Sequence, residues 1–319
     1  MLVIFSSPPF YTTYIQLPSS ESVSHKIWHN PKFWPFFQDA IGAIDGSHIH
    51  TAPPAFVHPN YRNRKGFVSQ NCLFACDFDL KFVYSLTGWE GSATDARIYA
   101  DAIATDLRLP DGKYFLGDAG FPLCKMVLVP YRGIHYHLAE WGRANVRWDF
   151  DAHLPYNMKW HPHRPSTKEE LFNLRHASAR NVIERIFGVM KRYFWILLLV
   201  PEYNLTIQAR IPAALCLVHN FIWTHDLNEG DLPVEAPPLI FQDEHPNATV
   251  MHDNRQVIDP GDEGTRELKE WRDNIAEAMW RAYQQLLKER AMEYEDADFF
   301  DEIDEIDETE IDNTLWHLQ

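Results

Sequence analysis

The 319-residue chain has only four cysteines, Cys72, Cys76, Cys124 and Cys216, with no CxxC pair and no regular spacing. That excludes a zinc knuckle and a disulfide framework, and makes a reducing, intracellular compartment the expectation. Long apolar runs are also missing. Nothing in the sequence approaches the roughly 18 residues a membrane span needs, so no membrane partner is expected. The start, MLVIFSSPPF, has a short apolar stretch without a basic flank and makes a poor signal peptide. It reads instead as the beginning of a chain whose upstream part is missing. A nucleophile elbow, a phosphate-binding glycine loop and an HExxH helix are all absent, which leaves acyl transfer, NTP hydrolysis and zinc proteolysis without support.

Positive charge is scarce overall, with a formal net charge of −16. Its distribution matters more than its sum. Residues 243–319 carry 23 Asp and Glu against 7 Lys and Arg, which accounts for the whole excess and leaves residues 1–242 neutral. The acidic tail therefore says little about what the body binds.

The body alternates strand and helix signals. Residues 40–50 (AIGAIDGSHIH) read as a short buried strand ending in an Asp45-Gly46 turn. Residues 71–79 and 81–90 read as a hairpin, followed by a helix through ARIYADAI capped by Thr94 or Asp95. Residues 113–120 read as a strand stopping at Asp118, and 126–132 as another. A turn at Ser19–Trp28 would be capped by Ser22 or its neighbour. Residues 173–195 form the clearest element, an amphipathic helix with Val182, Ile186, Val189 and Tyr193 on one face and Arg180, Glu184 and Lys191 on another, capped by Ser166 or Thr167. A second helix is expected over 207–224 and a third over 264–293.

These signals predict an α/β chain, an α+β mixed sheet with helices on both faces and a C-terminal helical, acidic extension. The expected organisation is an N-terminal segment (1–35), a main α/β domain (36–226) with an irregular insertion (133–166), a linker (227–262), an amphipathic helix (263–294) and a mobile acidic tail (295–319).

Three carboxylates stand out. Asp45 and Asp118 end strands, where ligand sites of open sheets lie, and Glu184 sits on a helix that could pack across that edge. All-oxygen donors suit Mg²⁺ or Mn²⁺, and two such ions can activate a water or a 3′-hydroxyl against a phosphodiester. Each acid also has a bland reading: turn chemistry for the two aspartates, a surface ion pair with Arg180 for Glu184. Three His-x-His pairs, His48/His50, His135/His137 and His161/His163, could ligate zinc but lack a companion ligand at suitable spacing. Asp77-Phe78-Asp79 suits a hairpin tip.

Seven blocks occur together and in order: GAIDGSHI (42–49), NRKGFVSQN (63–71), GWEGSATDAR (88–97), YFLGDAGFPL (114–123), PYRG (130–133), FNLRHASARNVIERIFGVMKRYF (172–194) and LVHNFI (217–222). From about residue 36 to 224 the chain resembles the catalytic domain of PIF/Harbinger-type DDE transposases and the nucleases derived from them. The resemblance implies an RNase H-like fold and a catalytic, metal-binding triad of Asp45, Asp118 and Glu184 holding Mg²⁺ or Mn²⁺, two ions in the full site. It also implies a nuclear role in cutting transposon ends and joining them to target DNA. A Myb-like DNA-binding partner protein and a homo-oligomer would go with it. Arg62, Arg64, Lys65, Arg180, Arg185 and Lys191 become DNA contacts, which position the duplex without reading its sequence. The alternatives are a catalytically silent or domesticated DNA- or protein-binding derivative and, further off, a zinc hydrolase.

Overall fold

A computed structural model describes residues 1–21, 23–134, 165–226 and 263–314, with side chains in the last segment to residue 289. The expected insertion and linker, Ser22, and the pairs His135/His137 and His161/His163 lie wholly or mostly outside the described residues.

Five strands form one mixed sheet: β1 (Ala40–His50), β2 (Ser69–Cys76), β3 (Phe82–Glu90), β4 (Tyr114–Leu116) and β5 (Val127–Leu128), in the order β3-β2-β1-β4-β5. β1–β2 and β2–β3 are antiparallel, while β4 and β5 run parallel to β1. The described helices are α1 (Leu2–Phe5), α2 (Phe10–Tyr14), α3 (His25–Trp28), α4 (His58–Tyr61), α5 (Asp95–Thr105), α6 (Lys168–Tyr193), α7 (Leu205–His225) and α8 (Glu263–Thr314).

The two-residue period of the strands divides the core in two. On β2, Cys72, Phe74 and Cys76 belong to one cluster while Leu73 and Ala75 belong to the other. On β4, Tyr114 and Leu116 face the first cluster and Phe115 the second. Ile98, Tyr99 and Ala102 of α5 close the second cluster. The first takes Leu171, Phe172, Ile183 and Ile186 of α6, Leu217 of α7 and Met279 of α8. Helices on both faces of a mixed sheet in this order are consistent with an RNase H-like domain, as expected.

Several expectations need correction. β1 does not turn at Asp45-Gly46; it continues to His50 because β2 pairs with it throughout, Asp45 opposite Phe74 and Gly46 opposite Leu73. The buried face of α6 is Val182, Ile183, Ile186 and Met190, not the stripe through Val189 and Tyr193; Tyr193 is 42% exposed. A helix sandwiched between sheet and α8 is buried over a wider arc than a surface helix. α7 is, by length and composition, able to cross a membrane, contrary to the expectation that no run comes near. Here it is a core helix: the Gln208, His219 and Asn220 side chains on it are buried and bond the backbone of Ala52, Leu80 and Phe82. α8 runs as helix beyond the expected residue 294, to Thr314, and no Gly or Pro after Gly264 interrupts it.

The N-terminal residues are not loose. Leu2, Phe5, Phe10, Tyr11 and Tyr14 pack on the first cluster, and the Asn220 amide donates to the Tyr14 carbonyl at 2.8 Å. The 77–79 segment is turn chemistry, since Asp77 Oδ1 accepts from the backbone N–H of Asp79 and Lys81 at 2.9 Å each.

Candidate active site

The site lies where β4 stops and β1 goes on. β4 leaves β1 at the Leu116–Ala43 pair, so Asp45, two residues further, stands beyond the end of its parallel neighbour. Asp118 follows β4 by two residues, and its Oδ1 accepts the Gly120 N–H at 2.8 Å. Strand alternation turns Asp45 to the same face as Ala43, which is the α6 face.

A stripe along α6 meets that face. The Asn173 Oδ1 accepts the Tyr131 N–H at 2.8 Å, and the buried His176 imidazole donates through Nε2 to the Leu128 carbonyl at 3.0 Å. Burial pushes the His176 pKa down to about 3, so the ring is neutral and acts as a fixed strut between α6 and β5. One turn on, Arg180 reaches Asp45: Nη1 donates to Asp45 Oδ2 at 3.0 Å. Its Nη2 donates to Oε1 of Glu184, a further turn along, at 2.5 Å. The ion pairs leave Arg180 only 12% and Asp45 19% exposed, with Glu184 at 54%. Thr167 caps α6 by accepting the Glu170 N–H, while the Glu170 carboxylate accepts from Ser166, a reciprocal box that fixes the helix start.

Asp45 is the most perturbed acid. Burial raises its pKa from 3.8 to about 7. The Arg180 charge and the Gly46 N–H pull it down; the Asp118 and Asp95 charges push it up. A carboxyl strained in this way, in a cleft with other acids, is a mark of functional sites.

Asp95 is the acid that sequence reasoning missed, having been weighed only as a helix cap. Thr94 is the cap, its hydroxyl accepting the Arg97 N–H. Asp95 lies against β1 instead: a Cβ on Gly46 would fall 2.0 Å from Asp95 Oδ1. Its pKa is raised by burial and by Asp118, against the Asn71 hydrogen bond and the Arg64 charge. Gly46 is thus required by close approach and not by a turn. The only sequence signal was the position of Asp95 inside the block GWEGSATDAR.

The basic residues fall in several places. Arg180 is engaged by two carboxylates. Arg62 donates to the Gly66 carbonyl of its own loop at 2.8 Å. Arg64 and Lys65 are exposed, Arg185 and Lys191 half-buried. The Arg64 charge is felt at Asp95 and the Lys191 charge at His50. His48 and His50 form no zinc site; the first bonds Ser69 Oγ at 3.1 Å and the second lies on the Phe67 ring. Among the described residues no three His, Cys, Asp or Glu are gathered closely enough to hold a metal together. The donor chemistry nonetheless suits a hard divalent cation: oxygen only, with acids outnumbering the one guanidinium that bridges Asp45 and Glu184. Arg180 stands between Asp45 and Glu184 and keeps the set open.

A mixed α/β domain with acids on two strand-edge positions and a crossing helix has the layout of a nuclease domain. The DDE superfamily endonuclease family matches residues 44–220, more than half of the chain, and the chain belongs to that family. Similar curated proteins include Putative nuclease HARBI1 of Rattus norvegicus, 25% identical over 203 residues, covering 62% of this chain and 50% of the relative. The Mus musculus protein of the same name is 26% identical over 225 residues, covering 67% and 56%. Protein ALP1-like of Arabidopsis thaliana is 26% identical over 224 residues, covering 63% and 46%. The chain thus spans about half the length of the curated relatives it matches. No solved structure matches it.

Proposed function

We propose that this chain is a divalent-cation-dependent DNA endonuclease of the Harbinger type, cutting phosphodiester bonds at transposon ends and passing the freed 3′-hydroxyl to target DNA in the nucleus. The observation that supports it is the Arg180 bridge between Asp45 and Glu184 beside the open end of β4, where the Asp118 charge is also felt at Asp45. Mg²⁺ or Mn²⁺ held by these acids would polarise the scissile phosphate and activate a water or 3′-hydroxyl.

The protein's own part is positional and electrostatic. Asp45 must be ionised to serve as a ligand, so with its raised pKa a proton would compete with the cation below about pH 7. Arg180 must release at least one of its two carboxylates to free their oxygens. Arg64 and Lys65 on their exposed loop would meet the DNA backbone, and a Myb-like partner would supply end recognition. The test is Mg²⁺- or Mn²⁺-dependent nicking of DNA carrying the matching terminal repeats. Nicking by Asp118→Asn and Glu184→Gln proteins at the parent's rate would overturn the assignment.

A second reading, a catalytically silent derivative that binds DNA or protein, is favoured by the closed Asp45–Arg180–Glu184 bridge, in which the acids neutralise a side chain. Calorimetry separates the two readings: a parent protein that takes up no Mn²⁺ through Asp45 supports the silent form.

A further inference from the structure

We propose that the groove between α7, β3 and the segment following β1 holds a backbone phosphate of DNA, with Arg210 as its counter-charge. The inference rests on the reading of the chain as a DNA endonuclease and adds a contact away from the acids.

The groove has a volume of about 590 Å³, within the range of small-ligand sites. Half of its lining residues carry a hydroxyl, and Arg210 is the only charged residue among them. Its walls are fixed from beneath. Gln208, 1% exposed, accepts from the Thr51 hydroxyl at 2.5 Å and from the Ala52 N–H at 3.0 Å. Gln70 Nε2 donates to the Gln208 carbonyl at 3.0 Å, and the Thr87 hydroxyl to the Ala209 carbonyl at 2.6 Å. A concave polar surface tied down in this way loses little freedom when a ligand enters.

Arg210 is half-buried, and among the described residues it has no carboxylate partner. Its Nη1 donates to the Ser6 and Ser7 hydroxyl oxygens at 3.3 Å each, beyond the usual hydrogen-bond range. Arg180, by contrast, is divided between two acids. Glu90 is felt at Tyr61 and Asp106 at Tyr11, but neither acid lines the groove. The guanidinium therefore keeps donors to spare, and each serine, accepting from Arg210, keeps its own proton to give. A planar fork beside hydroxyl protons matches the paired oxygens of a phosphate. Position favours DNA as the bearer of that phosphate. Thr51 stands six residues beyond Asp45, the length of β1 between them, which is roughly 20 Å of extended chain. At 3.4 Å per base pair that is about six base pairs from the acids. On the way, the Lys191 charge is felt at His50.

A fluorescein-labelled duplex of about 20 base pairs, titrated by anisotropy against the full chain in chelator, reads binding without cleavage. Arg210→Gln is expected to weaken binding about fivefold at low salt and to lower the slope of log Kd against log salt by about one. Arg210→Lys keeps the charge and should keep the slope. Thr206→Val, at an exposed position on the groove, should lose about two- to threefold with the slope unchanged. Circular dichroism confirms the fold of each variant. If Arg210→Gln does not fold, Thr206→Val decides, and parent-like binding there counts against the groove. Arg64→Gln, on the exposed loop, should also lower the slope by about one. A parent-like slope in Arg210→Gln alongside a lowered one in Arg64→Gln would overturn the groove alone. A parent that binds no duplex at low salt would sink the groove and the endonuclease reading together. Thymidine 5′-monophosphate competing at the duplex's own affinity would make this a free-nucleotide site and overturn the DNA assignment.

Discussion

Replacing Asp45 by Asn should stabilise the metal-free protein, and more so as the pH rises. Asp45 is enclosed by β1, α6 and the end of β4, with Arg180 too little to offset burial and the Asp118 and Asp95 charges. Its pKa rises from 3.8 in the free side chain to about 7 in the fold. The folded state therefore holds more protons than the unfolded chain between about pH 4 and pH 7, and Asp45 lowers stability progressively as pH climbs through that window. Full ionisation costs a few kcal/mol, while at pH 5 the cost is well under half of that. Asn has nearly the shape of the neutral acid and removes the cost at every pH. The variant should melt above the parent by on the order of 10 °C at pH 8, and by a few degrees at pH 5. Calorimetric melts of both proteins in chelator, from pH 5 to 8, measure the difference free of other titrating groups. A gap that stays constant with pH, or an Asn variant that melts below the parent at pH 8, would refute the reasoning.

Arg180→Ala leaves Asp45 buried without its counter-ion and should lower metal-free stability by about 3 kcal/mol at pH 8, read from denaturant melts. The same variant should bind Mn²⁺ more tightly, because a competing cation has gone; equal or weaker binding in calorimetry would count against the bridging role of Arg180. Gly46→Ala puts a Cβ on the Asp95 carboxylate and should cost about 1–3 kcal/mol, read from denaturant melts. Asn220→Ala strips both partners from the Phe82 backbone, whose N–H and C=O it pairs at 2.9 and 2.7 Å, and should cost about 3 kcal/mol without changing Mn²⁺ affinity.

Much of this was legible in the residues. Two apolar segments flanking the DFDLK turn located β2 and β3, and a 3.6-residue pattern capped by Ser166 or Thr167 located α6, with Thr167 the cap observed. Wording as well as period pointed to Asp45, Asp118 and Glu184, since seven ordered blocks restrict the fold far more than any acid alone. Three features were not legible. β1 runs on through an Asp-Gly pair because β2 pairs with it to His50, and no local propensity reports a long-range ladder. The arc buried on α6 is set by what packs on both sides, so Ile183 and Met190 displaced Val189 and Tyr193 from the expected face. α8 packs on α6 through Lys168–Glu277 at 3.2 Å and through Trp271 and Met279, a contact across about a hundred residues of chain.

The sequence by itself determined the family and the element types and singled out three acids, because spacing and side-chain chemistry are local properties written along the chain. Only the tertiary structure decided what those acids meet. It turned Arg180 inward between Asp45 and Glu184, made Gly46 a point of close approach, and brought Asp95 to the same strand from the other face. The physical reason is that charge acts through space: the cost of Asp45 depends on which charges and how little water lie within a few ångströms, and folding alone sets that distance.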